Sequence, residues 1–183
     1  MILKILPDDH PMLKQKAERF DFENPPMDPT ELFENLNETM IKHNGMGLAA
    51  PQVGIPYRVF VIGDPSNADS VFSVFNPTIA YSEGDAILEE GCISFPGLFM
   101  KVQRPAVLRA RFSGHDGYVE TIDFNGYTAR AFLHEYDHLE GITFTQRVSK
   151  LKLDRAKKQK IKLDRIRKKN EQDAIAYGIA RVG

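Results

Sequence analysis

Cysteine is nearly absent from this chain, since Cys92 is the only one, and no disulfide can form within it. Long apolar runs are absent as well, and none approaches the length of a membrane-spanning helix. The stretch from Met1 to Pro7 is too short and too soon charged for a secretory signal peptide. We therefore expect a protein of a reducing compartment without a membrane partner. That compartment is the cytoplasm, or an organelle matrix if a transit peptide has been removed.

Acidic residues are scarce in the C-terminal region. Between Lys150 and Lys169, eleven Lys or Arg stand against two Asp, so this segment carries +9 and leaves −10 for the remainder of a chain of net charge −1. Its apolar stripe is imperfect, which predicts a long exposed helix that ends near Asn170 and is followed by frayed residues. We therefore divide the chain into a body, residues 1–148, and a basic helical extension and tail, residues 149–183.

Helix and hairpin signals are clear in the body. Asp28 and Pro29 predict the capped start of a helix whose apolar residues recur on one face. Residues 105–112 and 118–124 alternate between apolar and polar on either side of a turn, which predicts a hairpin with His115 at its exposed tip.

Two further strand-like runs, residues 71–75 and 79–81, flank Asn76-Pro77, which we interpret as a turn. Asn125-Gly126 then begins a second helix. Sheet elements that precede one central helix predict an α+β fold. We expect mixed or antiparallel sheets packed around that helix, with a further helix at the C-terminus.

The second helix carries the sequence His134-Glu135-Tyr136-Asp137-His138, and Gly141 is a plausible residue just past its end. Histidines four positions apart project from one face of a helix. Two neutral imidazoles make half of a tetrahedral zinc or iron site, and a nearby carboxylate that is not a ligand can take a proton from metal-bound water. The pattern indicates a metal-dependent hydrolase.

Two other interpretations of this motif remain open. The histidines can be surface residues of an ordinary helix, or they can belong to a zinc endopeptidase. The second is disfavoured, because Phe144 occupies the position of a metzincin's third histidine and no histidine follows His138. A thermolysin-like site would need a glutamate on a following helix as its third ligand. The first glutamate after Glu140 is Glu171, beyond a lysine-rich stretch. A third ligand must therefore come from upstream.

Cys92 is the best upstream candidate. A free cysteine is usually a small buried hydrophobe, but this one follows Gly91 and lies between polar residues. A thiolate with two imidazoles leaves the fourth position open, as in catalytic zinc sites with mixed ligands. We rank it ahead of the three remaining histidines, which are His10, His43 and His115.

The loop from Gly45 to Gly54 is rich in small residues, which allow a ligand or another backbone to approach closely. It can also be a plain connection between a helix and a strand. Gln52 is the one side chain in the middle of this apolar loop that both donates and accepts hydrogen bonds. Gln52 is therefore the side chain of this loop that we expect to have a functional role.

Three separated stretches together resemble the motifs of the peptide deformylase family, in the same order. They are Gly45-Met46-Gly47-Leu48-Ala49-Ala50-Pro51-Gln52, Glu90-Gly91-Cys92-Ile93-Ser94 and His134-Glu135-Tyr136-Asp137-His138-Leu139-Glu140-Gly141. The resemblance extends over most of the chain. It implies an enzyme that removes the N-formyl group from the initiator methionine of nascent chains and releases formate.

The resemblance also implies roles for particular residues. The metal ligands would be Cys92, His134 and His138, with Glu135 as general base and acid. Gln52 and the backbone N–H of Ile93 would form the oxyanion hole. The substrate-binding residues would be Met46, Gly47 and Glu90. The family's metal is typically Fe²⁺, with Zn²⁺, Ni²⁺ or Co²⁺ able to occupy the site, and its basic C-terminal helix is associated with docking to the ribosome.

The chain departs from the family pattern at two positions. Leu133 precedes the first histidine, where glutamine is common. Arg130 lies one turn before His134, where an apolar pocket residue is commoner. A cation there disfavours metal binding unless it turns away or pairs with a carboxylate.

A non-catalytic alternative is a metal-stabilised RNA-binding or ribosome-binding module whose basic tail is the functional surface. A structural zinc site usually has four protein ligands, and only three are evident here. Glu135 and Gln52 would also have no role in such a module.

Overall fold

The computed structural model describes residues 1–176. Its three α-helices are α1 (Pro29–Lys42), α2 (Gly126–Leu139) and α3 (Lys150–Ala176). Its seven strands are β1 (Gly47–Ala49), β2 (Val59–Ile62), β3 (Phe72–Glu83), β4 (Ala86–Glu90), β5 (Met100–Arg104), β6 (Val107–Ser113) and β7 (Val119–Asn125). Short 3-10 helices lie at Pro11–Lys14, Ala50–Val53, Ala68–Ser70 and Phe144–Arg147. Among residues 1–176, no helix is both long and apolar enough to cross a membrane.

The strands form two antiparallel sheets. The larger has the order β1-β2-β3-β6-β7, with β1 at one edge, and the smaller consists of β4 and β5. The predicted hairpin is confirmed as β6 and β7, and the predicted second helix is confirmed as α2. The α+β fold with antiparallel sheets around a central helix is therefore as expected.

The larger sheet is covered by a helix on each face, and strand β2 shows how. All four of its residues are buried, so the strand contacts a core on both sides. Phe60 and Ile62 belong to the cluster that includes Phe132 of α2. Val59 and Val61 belong to the cluster that includes Leu36 of α1. Because successive residues of a strand face opposite sides, the sheet lies between α1 and α2.

A third apolar cluster joins the smaller sheet to α3. It contains Met100 and Val102 of β5 and the buried Phe144, and Leu153 and Ala156 of α3 pack against it. From Lys150 to Gln172, the larger apolar side chains elsewhere on α3 are exposed; they are Leu151, Ile161, Leu163 and Ile166. The first turns of α3 therefore hold it to the body.

The predicted end of this helix near Asn170 is wrong, because α3 continues to Ala176. The frayed tail that we predicted beyond it falls largely on residues 177–183, which lie outside the described residues. The division into a body and an extension at residue 148 stays a prediction.

The predicted turn at Asn76-Pro77 is wrong, because β3 runs through it without a break. The pairing of β3 with β6 shifts register between Phe75 and Thr78, which is the mark of a bulge. Asn76 adopts φ 50° there, a conformation that asparagine tolerates better than most residues. Its side chain accepts from Phe20 N and donates to Phe20 O, both at 2.8 Å. Those two bonds to a neighbouring segment stabilise the bulge.

The predicted exposed position of His115 is also wrong. Its ring is half-buried and stacks on Phe33 of α1 with centroids 4.7 Å apart. Its Nδ1 lies 3.0 Å from Ser73 Oγ. The tip of the hairpin is therefore folded back against the body.

Candidate metal centre

Helix α2 is bounded by two glycines whose backbone lies in the left-handed region. Gly126 begins it with φ 56°, and Gly141, just past its end, has φ 70°. A Cβ at Gly141 would lie 2.8 Å from the backbone of Lys14, so only glycine allows these two segments to approach so closely. The predicted C-terminal glycine is confirmed. Both histidines of the motif lie in the last two turns of a helix held at each end.

Cys92, His134 and His138 converge on one point. One potential ligand atom from each lies within 4.8 Å of the other two. Cys92 Sγ is 3.4 Å from His138 Nε2, and both histidines are buried. Burial lowers the pKa of His138, which favours the neutral imidazole that binds metals. One thiol and two imidazoles with an open side fit a catalytic zinc-type or iron-type site.

Glu135 lies beside these ligands without being one of them. Its carboxyl is buried, and Oε2 has no hydrogen-bond partner among the described residues. Burial raises the pKa of Glu135 to about 7. Gly47 of β1 makes room for it, since a Cβ there would lie 2.5 Å from Glu135 Oε1. A buried carboxyl with an unused oxygen is well placed to exchange a proton with a small molecule.

Gln52 is held in a fixed orientation beside the centre. Its Oε1 accepts from Ala49 N at 2.8 Å. Its Nε2 donates to Ser94 Oγ at 3.2 Å and lies 3.4 Å from Cys92 Sγ. Sequence reasoning assigned no role to Ser94, although its position two residues after Cys92 was a signal. The amide N–H of Gln52 therefore points at the metal centre.

A cavity of about 450 Å³ opens onto the centre. Eight of the nine predicted site residues line it; they are Met46, Gly47, Gln52, Glu90, Cys92, Ile93, His134 and Glu135. The ninth, His138, is buried and 1% exposed. The three sequence motifs therefore meet at one cavity large enough for the end of a peptide.

Glu90 is buried, and several groups share its carboxylate. Oε2 lies 3.0 Å from His134 Nδ1 and accepts from Arg104 Nη2 at 3.0 Å. Oε1 accepts from Arg104 Nε at 2.5 Å and from Arg130 Nη1 at 2.7 Å. Burial alone would raise the pKa of Glu90, but hydrogen bonds from His134 and Arg104 hold it well below its ordinary range. Glu90 lines the cavity, and its carboxylate is engaged in orienting His134.

Arg104 and Asp137 extend this network, and sequence reasoning missed both. Arg104 Nη1 donates to Asp137 Oδ2 at 2.7 Å, and Asp137 also accepts from Arg147. One signal could have found Arg104. Strand β5 alternates buried and exposed residues, and Arg104 occupies the buried phase beside Met100 and Val102. A charged residue in that phase needs a buried partner.

Comparison with known proteins identifies the family. A family model described as polypeptide deformylase matches residues 2–154. A peptide deformylase of Cytophaga hutchinsonii is 40% identical in an alignment of 158 positions that covers 83% of this chain and 85% of that protein.

Solved structures give the same result. A peptide deformylase from Legionella pneumophila superposes with a TM-score of 0.82 at 30% identity, over 91% of this chain and 98% of that one. A peptide deformylase from Synechococcus elongatus in complex with actinonin has a TM-score of 0.80 at 31% identity, over 86% of this chain and 87% of that one.

These matches cover nearly the whole body, including all three motifs. The non-catalytic binding module is not supported. The chain belongs to the polypeptide deformylase family and is an enzyme that removes the N-formyl group from formyl-methionyl nascent peptides.

Proposed function

We propose that Cys92, His134 and His138 bind one divalent metal ion, at which Glu135, Gln52 and Ile93 remove the formyl group. The observation that carries this proposal is the convergence of three ligand atoms within 4.8 Å beside a buried carboxyl and an oriented amide. A metal ion held by these ligands would lower the pKa of a water molecule and polarise the formyl carbonyl.

Glu135 moves the proton in this proposal. It accepts a proton from the attacking water and delivers it to the amine nitrogen as the bond from carbon to nitrogen breaks. The water oxygen forms a new bond to the formyl carbon, so the products are formate and a free N-terminal amine. The burial that raises the pKa of Glu135 to about 7 suits a group that takes and returns a proton near neutral pH.

Gln52 and Ile93 stabilise the charge that develops on the formyl oxygen. The Gln52 amide is fixed by Ala49 and Ser94, so little reorganisation is needed when the oxyanion forms. The backbone N–H of Ile93 is the second proposed donor. Loss of one donor of this kind typically costs on the order of 100-fold in rate.

The peptide itself has a place at the edge of the larger sheet. Strand β1 is an edge strand, so its outer side has backbone groups that can pair with an extended substrate. Gly47 of this strand and the neighbouring Met46, which is 44% exposed, line the cavity. We propose that these two residues, with Glu90 behind them, border the pocket for the formyl-methionine side chain.

We propose Fe²⁺ as the working metal, with Zn²⁺, Ni²⁺ or Co²⁺ as ions that the same ligands accept. A thiolate with two imidazoles suits all four ions, so affinity alone does not select among them.

The ribosome is the proposed partner of α3. Its basic side chains up to Lys169 are largely exposed, and Leu153 and Ala156 of its first turns pack on the body. A basic helix of this kind attracts phosphate, while the net negative charge of the remainder is repelled. Because the substrate is a nascent chain, the proposed place of action is the compartment of translation, either the cytoplasm or an organelle matrix.

The decisive experiment measures formate release from a short formyl-methionyl peptide by protein loaded with Fe²⁺ without oxygen. The same sample is analysed for metal, and metal-free protein is the control. One equivalent of metal with formate release by the loaded protein alone supports the proposal. Equal activity with and without metal would exclude it.

A further inference from the structure

Arg130 is a buried cation in the wall of the cavity. Its Nη1 donates to Glu90 Oε1 at 2.7 Å and to Val102 O at 2.8 Å, and its Nη2 donates to Ala86 O at 2.6 Å. The guanidinium is therefore pinned to β4, β5 and Glu90. It has five N–H groups, of which three are engaged. Among the described residues, no group accepts from Nε.

The buried charges behind this wall are paired. Glu90 Oε1 accepts from both Arg104 and Arg130, so two guanidiniums share one carboxylate oxygen. Asp137, the other carboxylate of the network, is shared by Arg104 and Arg147. The guanidiniums of Arg104 and Arg130 are thus buried with the carboxylates of Glu90 and Asp137, whereas the Arg147 side chain is 43% exposed. With its charge paired, Arg130 can still offer its unengaged N–H groups as donors to an acceptor in the cavity.

The geometry of helix α2 gives the distance along the helix from Arg130 to the metal centre. The residues of α2 that line the cavity are Tyr127, Arg130, Ala131, His134 and Glu135. Their spacing places them on one helix face. Arg130 and Ala131 lie one turn, about 5.4 Å, before His134 and Glu135. With the formyl group at the metal centre, the first side chain of the substrate reaches this turn, where the small Ala131 leaves room beside Arg130.

We infer that Arg130 is a specificity-determining residue that lets this pocket accept a first side chain ending in an acceptor oxygen, of which methionine sulfoxide is the test case. The inference rests on the proposed function of the metal centre. A thioether sulfur is a weak acceptor, whereas a sulfoxide is polar. A sulfoxide oxygen loses its water on entering the pocket, and a free guanidinium N–H replaces that hydrogen bond.

The test compares kcat/KM for three peptides that differ only in the first residue: formyl-methionine, formyl-methionine sulfoxide and formyl-norleucine, an apolar mimic of methionine. The proteins are wild type, Arg130→Leu, Arg130→Lys and Arg147→Leu, all loaded with metal. Arg147 belongs to the same charged network but does not line the cavity. The ratio of two substrates in one sample is independent of the active fraction, so lost metal or partial unfolding does not affect it.

We expect the kcat/KM for the sulfoxide peptide, divided by that for the methionine peptide, to fall at least about tenfold in Arg130→Leu. In Arg130→Lys this ratio should be partly retained. The ratio of norleucine to methionine should stay constant or rise in Arg130→Leu. Arg147→Leu should keep both wild-type ratios. Equal sulfoxide ratios in wild type and Arg130→Leu would overturn the inference, while failure of wild type to cleave the formyl-methionine peptide would instead overturn the proposed function.

A second measurement needs no variant. The unformylated products that carry methionine or methionine sulfoxide are compared as inhibitors of the wild-type enzyme. Inhibition constants within about threefold of each other support the inference, because the N–H of Arg130 compensates the lost hydration. Inhibition by the sulfoxide product that is weaker by more than about threefold contradicts it.

Discussion

Glu90 Oε2 lies 3.0 Å from His134 Nδ1, and this contact leaves Nε2 as the nitrogen of His134 available to a metal. A carboxylate in this position selects the tautomer and the ring orientation of a metal-binding histidine. The same carboxylate forms ion pairs with two buried guanidiniums, those of Arg104 and Arg130. Ligand geometry and the stability of the buried network therefore depend on one side chain.

Glu90→Gln should weaken metal binding by roughly 10-fold to 100-fold, because the amide orients His134 poorly. It should also lower the melting temperature, since it leaves the buried Arg130 with an uncharged partner and Arg104 with Asp137 alone. Metal titration and thermal unfolding of the metal-free protein measure the two effects. Arg109→Ala is the control, because its ion pair with Asp123 is exposed and should matter little. Unchanged metal affinity in Glu90→Gln would show that His134 is oriented by other contacts.

Glu135→Gln should retain nearly all of the metal and lose on the order of 100-fold or more in turnover, because Glu135 is assigned to proton transfer and not to coordination. Formate release and metal analysis of the same preparation check this. Turnover within a few-fold of wild type would remove Glu135 from the mechanism, and loss of metal would place it among the ligands.

Cys92→Ser should lower metal affinity and activity together, since a hydroxyl at neutral pH is a poor replacement for a thiolate. Dialysis against a metal buffer, followed by metal analysis, gives the affinity. Because Cys92 is the only cysteine, oxidation of the wild type can be followed at one site, and it should release metal as activity falls. A Cys92→Ser protein with full metal occupancy would mean that another residue is the third ligand.

Replacing Lys158, Lys162 and Arg165 of α3 by glutamine should reduce co-sedimentation with ribosomes, and the intact protein should bind less as salt is added. The kcat/KM on a short formyl-methionyl peptide should stay within a few-fold of wild type, because these side chains are exposed and lie away from the cavity.

Truncation after Ser149 is the stronger form of this experiment. It also removes Leu153 and Ala156 from the cluster that contains Phe144, so we expect it to lower the melting temperature. The glutamine variant keeps that contact and separates docking from stability. Equal ribosome binding by the glutamine variant, the truncated protein and the wild type at low salt would exclude the docking role.

Local chemistry explains what could be predicted. The start of α1 at Pro29 and of α2 at Gly126 followed from cap and glycine signals, and the hairpin of β6 and β7 followed from alternation. These signals are interactions between residues close in the chain. The turn at Asn76-Pro77 was predicted on the same basis and was wrong, because contacts with Phe20, 56 residues away, decide that backbone.

The sequence by itself determined the chemical inventory of the enzyme: a thiol, two imidazoles on one helix face and a carboxyl beside them. It did not determine how Arg130, an unexpected cation, is accommodated. Only the tertiary structure decided that Glu90 would accept from Arg104, Arg130 and His134 at once. The physical reason is that burial makes a charge depend on its partners in space, and β5 and α2 bring those partners together from distant parts of the chain.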